Sequence, residues 1–392
     1  MKTKNLVIFP FILIFYEIIT YLSNDLYLPA LTDLMRDFNS TPAMAQLTLT
    51  TWFLGSASTQ LIMGPLSDQY GRRPILLSGA FIFIIATILC AGTQSTTILL
   101  IARFIQGSAV CSFMVAGYSA IHELYDTHKA IQVLALMGSV GILAPAFGPL
   151  LGSFILQIAS WRYLFWLLAI AAIIAILLLT KWMPESNPKE NRTRFVMKNI
   201  FHGYISIIKN KNFILSTIIL CLIYGGLIAW LAMGPLLITE GYHYSPLMFG
   251  IFQAMIFSSF IGGNMLIKYA MNYLAINKII FIGLILTLIG GVFSLLISYY
   301  FNQHIIVFIL TLMIFAGGAA LQYGTLQRVA IEASSEPMGL RMAIFSTCLG
   351  IAGVLSSAIS SYIYDGTSLK LAYFILAVSI TAVILNITRE KK

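Results

Sequence analysis

Charge is what this chain has least of. Only 9% of its 392 residues are Asp, Glu, Lys or Arg, where a soluble domain carries about a quarter. With 59% hydrophobic residues and a mean hydropathy of +0.90, that deficit excludes an ordinary soluble globule. Cysteine is scarce as well. Cys90, Cys111, Cys221 and Cys348 all fall in apolar stretches, far apart, and no CxxC occurs. They read as small packing residues, and no disulfide framework is expected. Short alternating segments of about ten residues are missing, which argues against a membrane barrel.

What is present is a series of apolar runs near the length of about 20 residues that crosses a bilayer as a helix. Twelve are readable, near 7–30, 46–66, 75–92, 96–121, 130–157, 162–183, 213–238, 247–270, 277–298, 304–326, 339–363 and 368–388. The expected fold is therefore an all-α membrane protein of twelve transmembrane helices. The start, MKTKNLVIFPFILIF, has the basic end and apolar core of a signal peptide. It lacks a small-residue cleavage site and runs to full span length, so it is expected to stay as the first span.

Residues 184–212 form the one long polar interruption, rich in Pro, Asn and basic residues. The segment around 195–208 is expected to form an amphipathic helix on the inner leaflet. This linker divides the chain into bundles at 1–183 and 213–392, six spans each. Two matched six-helix halves are a transporter pattern, with substrate sites expected near the midplane between them. Any duplicated membrane protein would look the same, so this fold pattern alone carries no function.

Placing the N-terminus inside puts nineteen of the 23 Lys and Arg on the cytoplasmic side, and only Arg36, Arg162 and Lys370 outside. The positive-inside bias then sets both termini in the cytoplasm. It also accounts for the net charge of +9 without nucleic acid as a partner. The triplet Asn39-Ser40-Thr41 is a glycosylation sequon, relevant only in a eukaryotic secretory pathway.

Two acids break the first span, in FYEIITYLSNDLYLP (residues 15–29). A carboxylate at the bilayer centre costs about 2.5–3.5 kcal/mol or more unless it is protonated, paired or facing water. At 100° per residue, Glu17, Thr20, Tyr21, Asn24 and Leu28 share one helix face, with Asp25 beside it. Glu17 and Asp25 stand about 12 Å apart along the axis, Glu17 near mid-membrane and Asp25 nearer the outside. The stripe fits a cavity lining, or a hydrogen-bond network between helices. Two acids in one span exceed what packing requires, which favours the first reading. Arg103, the remaining Lys or Arg, lies inside the fourth span at about the depth of Asp25. A buried Arg needs an anionic partner, and Asp25 is the expected one. Glu17 has no such partner in the sequence, so the two acids form a candidate proton-handling pair.

Other patterns are weaker. HELYDTH (122–128) suggests zinc, but its spacing is H-E-x-x-x-x-H, which puts the histidines about 240° apart on a helix. No metal site is expected. Glu123 fits either interfacial solvation or a gate contact. Gly148-Pro149-Leu-Leu-Gly152 has the small-xxx-small spacing of close helix packing. Trp230, Tyr118 and Tyr323 fit a pocket wall or plain packing, and spacing alone favours packing.

The stretch GPLSDQYGRRP (64–74), with Gly64, Asp68, Gly71, Arg72 and Arg73, resembles the cytoplasmic loop signature of the major facilitator superfamily. Its glycines permit a tight loop, Asp68 can meet a helix N-terminus and the arginines can pair with acids. The segment with Arg103, Gln106 and Gly107 resembles that superfamily's fourth-helix motif. APAFGPLLG (144–152) resembles its antiporter motif, with Ala144 where Gly is usual. YEIITYLSNDLYLP, RFIQG, AGYSAIHELY and LMGSVGILAPAFGPLLG are together similar to its bacterial multidrug/proton antiporters. IAWLAMGP (228–235) and GGNML (262–266) extend a thinner likeness into the C-terminal half.

The resemblance implies that Glu17 and Asp25 couple drug to proton, with Arg103 as their fourth-helix partner. It puts Tyr21, Asn24, Tyr118, Met137, Ile228 and Trp230 at or beside pocket positions. His122 stands where relatives have Gln and gains no role. The implied protein is a monomeric, proton-coupled exporter of lipophilic cationic or neutral small molecules in a bacterial inner membrane, working by alternating access. Protons are the coupling ion, and no other cofactor is expected. An exporter of one metabolite, such as a siderophore, sugar or amino acid, is the alternative. A membrane-embedded enzyme fits poorly, because no nucleophile–base pair, metal cluster or cofactor motif is present.

Overall fold

The computed structural model describes residues 3–192, 197–301 and 303–390. In chain order its helices are α1 (Thr3–Asp25), α2 (Leu31–Asp37), α3 (Pro42–Tyr70), α4 (Arg72–Gly92), α5 (Thr96–Leu124), α6 (Thr127–Leu156) and α7 (Trp161–Trp182). They continue with α8 (Met197–Lys209), α9 (Lys211–Leu236), α10 (Pro246–Ala270), α11 (Ile276–Tyr300), α12 (Ile305–Glu332), α13 (Met338–Ile363) and α14 (Ser368–Glu390). Strands are absent among the described residues.

Each of the twelve expected spans coincides with a long helix. Among the described residues, eleven stretches are long and apolar enough to cross a membrane. The one that falls short is α3, whose 29 residues are diluted by Gln46, Thr48, Thr50, Thr51, Ser58, Thr59 and Gln60. Its length suffices, while its polarity suits burial against protein. Prolines sit inside α1, α3, α6 and α9. Each removes a backbone hydrogen bond, which spanning helices tolerate because neighbouring groups satisfy the freed carbonyls. After Pro235, α9 loosens into a π turn over Leu237–Gly241.

Contacts divide the chain into two compact units. One comprises Met1–Ser40 and Thr51–Met197, the other Thr41–Thr50 and Lys198–Lys392. In the first, α1 packs on α5, α6 and α7, and α4 packs on α5 and α7. In the second, α12 packs on α9, α10 and α11, while α14 packs on α9 and α11 and α13 on α9. The expected amphipathic segment forms α8. Its Ile207 is buried, Phe201 and Ile208 are exposed, and a Cβ at Gly203 would stand 2.7 Å from Leu340 of α13. Asn210 ends the α8–α9 corner. Its Oδ1 accepts the Phe213 N–H at 3.0 Å, and its Nδ2 donates to the Ala333 carbonyl at 2.6 Å.

Candidate functional site

The α1 stripe forms from Glu17 to Asn24, but α1 ends at Asp25, so Leu28 falls in the 3-10 turn Leu28–Ala30 that follows. Glu17, Thr20, Asn24 and Asp25 are all buried, Glu17 at 0% exposure and Asp25 at 2%. Tyr118 of α5 donates its hydroxyl to Glu17 Oε1 at 2.8 Å. Glu17 Oε2 is buried with no hydrogen-bond partner among the described residues. A carboxyl group held by one bond, with a second oxygen left over, is suited to take up and release a proton. Asp25 accepts from Asn24 Nδ2 at 3.1 Å.

Helix α6 is pressed onto the end of α1. A Cβ at Gly152 would lie 1.9 Å from the Leu26 carbonyl oxygen, and one at Gly148 would lie 3.0 Å from the Asp25 Cβ. Any side chain at position 152 would collide with backbone. The small-xxx-small spacing is therefore a seat for the acid-bearing end of α1. One turn beyond Ala144, the Tyr21 hydroxyl stands 3.2 Å from where a Gly141 Cβ would be. Met137, also on α6, is fully buried.

Arg103 corrects one expectation. The anticipated direct pair with Asp25 does not form. The guanidinium donates to the Ser23 carbonyl at 2.8 Å and to Gln106 Oε1, and it lies 4.4 Å above the Tyr27 ring. Gln106 in turn donates to Thr87 Oγ1 at 2.8 Å. The physical reason is the end of α1. The last carbonyls of a helix lack intrahelical partners, and a cation there also meets the negative end of the helix dipole. Asp25 remains within electrostatic range of Arg103. The cation thus acts on the acid through the field and through the α1 terminus it holds.

Ile228 and Trp230 are buried on α9, in the second unit. Trp230 donates its Nε1 to Gln253 of α10 at 2.5 Å and packs on Phe249 with ring centroids 5.8 Å apart. Sequence reasoning missed Gln253. The available signal was a Gln in an otherwise apolar run.

The loop signature is shorter than read. Helix α3 continues through Pro65 to Tyr70, so Gly64 lies in a helix, and a Cβ there would meet nothing within 4 Å. The break falls at Gly71, with φ +102°, where a Cβ would stand 2.5 Å from Glu185 Oε2. Arg72 is buried at 8% exposure. It pairs with Asp68 at 2.5 Å and with Glu123, at the end of α5, at 2.8 Å. Its N–H donates to Glu185 Oε1 at 2.9 Å. Arg73 donates to the Thr180 carbonyl at 2.6 Å, Ser186 to Glu123 at 2.6 Å, and Asn187 to the Asp68 carbonyl at 3.0 Å. Asp68 therefore meets a side chain instead of the expected helix N-terminus. Glu123 is an ion-pair partner, and one network ties the α3–α4 corner to the ends of α5 and α7. In HELYDTH, α5 ends at Leu124 and α6 starts at Thr127, which puts the two histidines on different helices.

Comparison with known proteins follows the same lines. The family model described as Major Facilitator Superfamily matches residues 13–356. The chloramphenicol resistance protein CraA of Acinetobacter baumannii is 29% identical over 95% of this chain and 90% of its own length. The multidrug resistance protein MdtM of Salmonella typhimurium is 29% identical over 84% of this chain and 80% of its own. The multidrug transporter MdfA of Edwardsiella piscicida is 28% identical over 86% and 82%. The xylose transporter XylE of E. coli, solved in a partially occluded inward-open conformation, superposes with a TM-score of 0.76 at 14% identity over 97% of both chains. That likeness concerns the fold alone.

Proposed function

Because the chain belongs to the Major Facilitator Superfamily, we propose that it is a multidrug efflux transporter that exchanges protons for lipophilic cationic or neutral small molecules by alternating access. The names of its relatives support export of drugs, chloramphenicol among them. The observation that carries proton coupling is the buried pair on α1. Glu17 is held by Tyr118 with its second oxygen left over, and Asp25 lies in the field of Arg103.

In this reading Glu17 and Asp25 take up protons and release them as substrate binds and leaves. Arg103 fixes the end of α1, and Gly148, Pro149 and Gly152 seat α6 against it. Tyr21, Asn24, Tyr118, Met137, Ile228 and Trp230 contact substrate. The Arg72 network with Asp68, Gly71 and Arg73 stabilises one state of the cycle. Bundles at 1–183 and 213–392, joined by the linker 184–212, sit in a bacterial inner membrane with both termini cytoplasmic. The protein works as a monomer, catalyses no covalent reaction and uses no cofactor besides the coupling proton.

The test is uptake of chloramphenicol and of a lipophilic cation into inside-out proteoliposomes under an imposed pH gradient. Gradient-dependent uptake of both is expected. Uptake of one compound only would mean a narrow exporter, and uptake indifferent to the gradient would remove proton coupling.

A further inference from the structure

The corner between α10 and α11 carries two adjoining grooves that the transport reading does not use. One, of about 730 Å³, is lined by Leu274, Asn277, Lys278, Phe281 and Ile282. The other, of about 360 Å³, shares Leu274 and Ile282 and is otherwise walled mainly by Tyr269, Tyr273 and Ile279. Both volumes lie in or near the range of small-molecule sites, about 300–1,000 Å³. They differ in chemistry. The first has a cation and an amide at its mouth, and the second is aliphatic and aromatic.

The two helices that line them carry charge of one sign. No acid occurs between Glu240 and Glu332, so neither α10 nor α11 carries a carboxylate. Arg389 of α14, buried at 8% exposure, donates to Asn277 Oδ1 at 3.2 Å. That bond fixes the Asn277 side chain and leaves its NH2 as a donor beside Lys278. The first turn of α11 adds the positive end of a helix dipole. Tyr269 and Tyr273 stand 66% and 86% exposed, as amphipathic rings do at a membrane–water boundary.

We propose that this corner of the second unit binds an anionic phospholipid, with its phosphate on Lys278 and Asn277 and an acyl chain in the adjoining apolar groove. The observations favour this occupant because a soluble anion would leave the apolar groove without purpose, and an uncharged lipid would leave the acid-free basic mouth without one. Basic pockets between spanning helices on the cytoplasmic side suit such headgroups, and the Lys and Arg bias puts this corner on that side. The proposal is independent of what the protein transports.

The experiment is native mass spectrometry of the full chain, released from detergent and titrated with phosphatidylglycerol or phosphatidylcholine. The wild type should hold the first bound phosphatidylglycerol about fivefold more tightly than phosphatidylcholine, the scale of one lysine near a lipid surface. Lys278→Glu should abolish that preference, Lys278→Arg should keep it, and Lys370→Glu, at the far end of the spans, should leave it unchanged. Lys278 is exposed, so these variants should fold, and an unchanged thermal unfolding midpoint in detergent checks that they do. Equal affinity for the two lipids, or an unaltered preference in Lys278→Glu, would overturn the site. Displacement of the lipid by millimolar inorganic phosphate would overturn the lipid assignment in favour of a simple anion site.

Discussion

At the scale of single residues, the burial of Glu17 and Asp25 is the feature that demands explanation. Both were visible in the sequence because a carboxylate in an apolar run stands out against its surroundings. Their partners were not, because those depend on side chains that meet across the fold. Tyr118 is 101 residues from Glu17; spacing alone favoured packing for it, and the resemblance alone put it at the pocket. The expected Arg103–Asp25 pair failed for a related reason. Charge matching sees the acid, whereas the orphan carbonyl of Ser23 arises only once α1 ends. Tyr118→Phe should remove the hydrogen bond to Glu17 Oε1, about 0.5–1.5 kcal/mol. It should alter the pH profile of efflux while leaving the protein folded, which transport measured across a pH series will show. Arg103→Ala should destabilise by about 1–3 kcal/mol for each buried acceptor it leaves unsatisfied, the Ser23 carbonyl and Gln106 Oε1. Arg103→Lys should cost less, because both bonds come from one guanidinium nitrogen, Nη1, and an ammonium keeps the charge and has three donors. Thermal unfolding in detergent measures both. Equal loss in the two variants would mean that the guanidinium geometry, and not the charge, holds the α1 end.

At the scale of elements, the spans were legible because each is a run of about 20 apolar residues. Where polar side chains intrude, legibility fell. α3 was counted among the spans, but its last turns from Gly64 to Tyr70 read as loop because Gly, Pro and Asp are loop formers. Helix α3 keeps them because the freed groups are met elsewhere. Asp68 pairs with Arg72, four residues on, and the Asp68 carbonyl accepts from Asn187. Gly152 illustrates the opposite case. Its spacing with Gly148 was readable, and the 1.9 Å approach to the Leu26 carbonyl supplies the reason. Gly152→Val should therefore force α6 off α1 and destabilise by about 1–3 kcal/mol or more. It should also impair efflux beyond what stability alone explains, measured as transport per folded molecule. The Arg72–Glu123 pair predicts a coupling energy of about 0.5–3 kcal/mol in a double-mutant cycle on unfolding. Additive effects would reduce that ion pair to a surface contact.

At the scale of the whole molecule, the account concerns what crosses the membrane and what drives it. If one proton enters for each molecule exported, a monovalent cation leaves without net charge transfer. A neutral compound such as chloramphenicol then moves one positive charge inward, and an inside-negative potential assists that step by about 2.3 kcal/mol per 100 mV. A potassium–valinomycin potential should accelerate export of the neutral compound and leave the monovalent cation unaffected. Voltage-dependent export of the cation would instead indicate two protons per cycle, one for each α1 acid. Composition made the membrane class readable at this scale. Substrate breadth was not, because it depends on side chains that come together only when the chain folds.

The measurement that tests proton coupling by Glu17 and Asp25 most directly is pH-gradient-driven transport of chloramphenicol in proteoliposomes, comparing the wild type with Glu17→Gln, Asp25→Asn and the double variant. Substrate binding is measured on the same preparations. The account predicts folded, binding-competent proteins whose gradient-driven transport falls in each single variant and is lost in the double one. Wild-type transport by the double variant under the same gradient would contradict it.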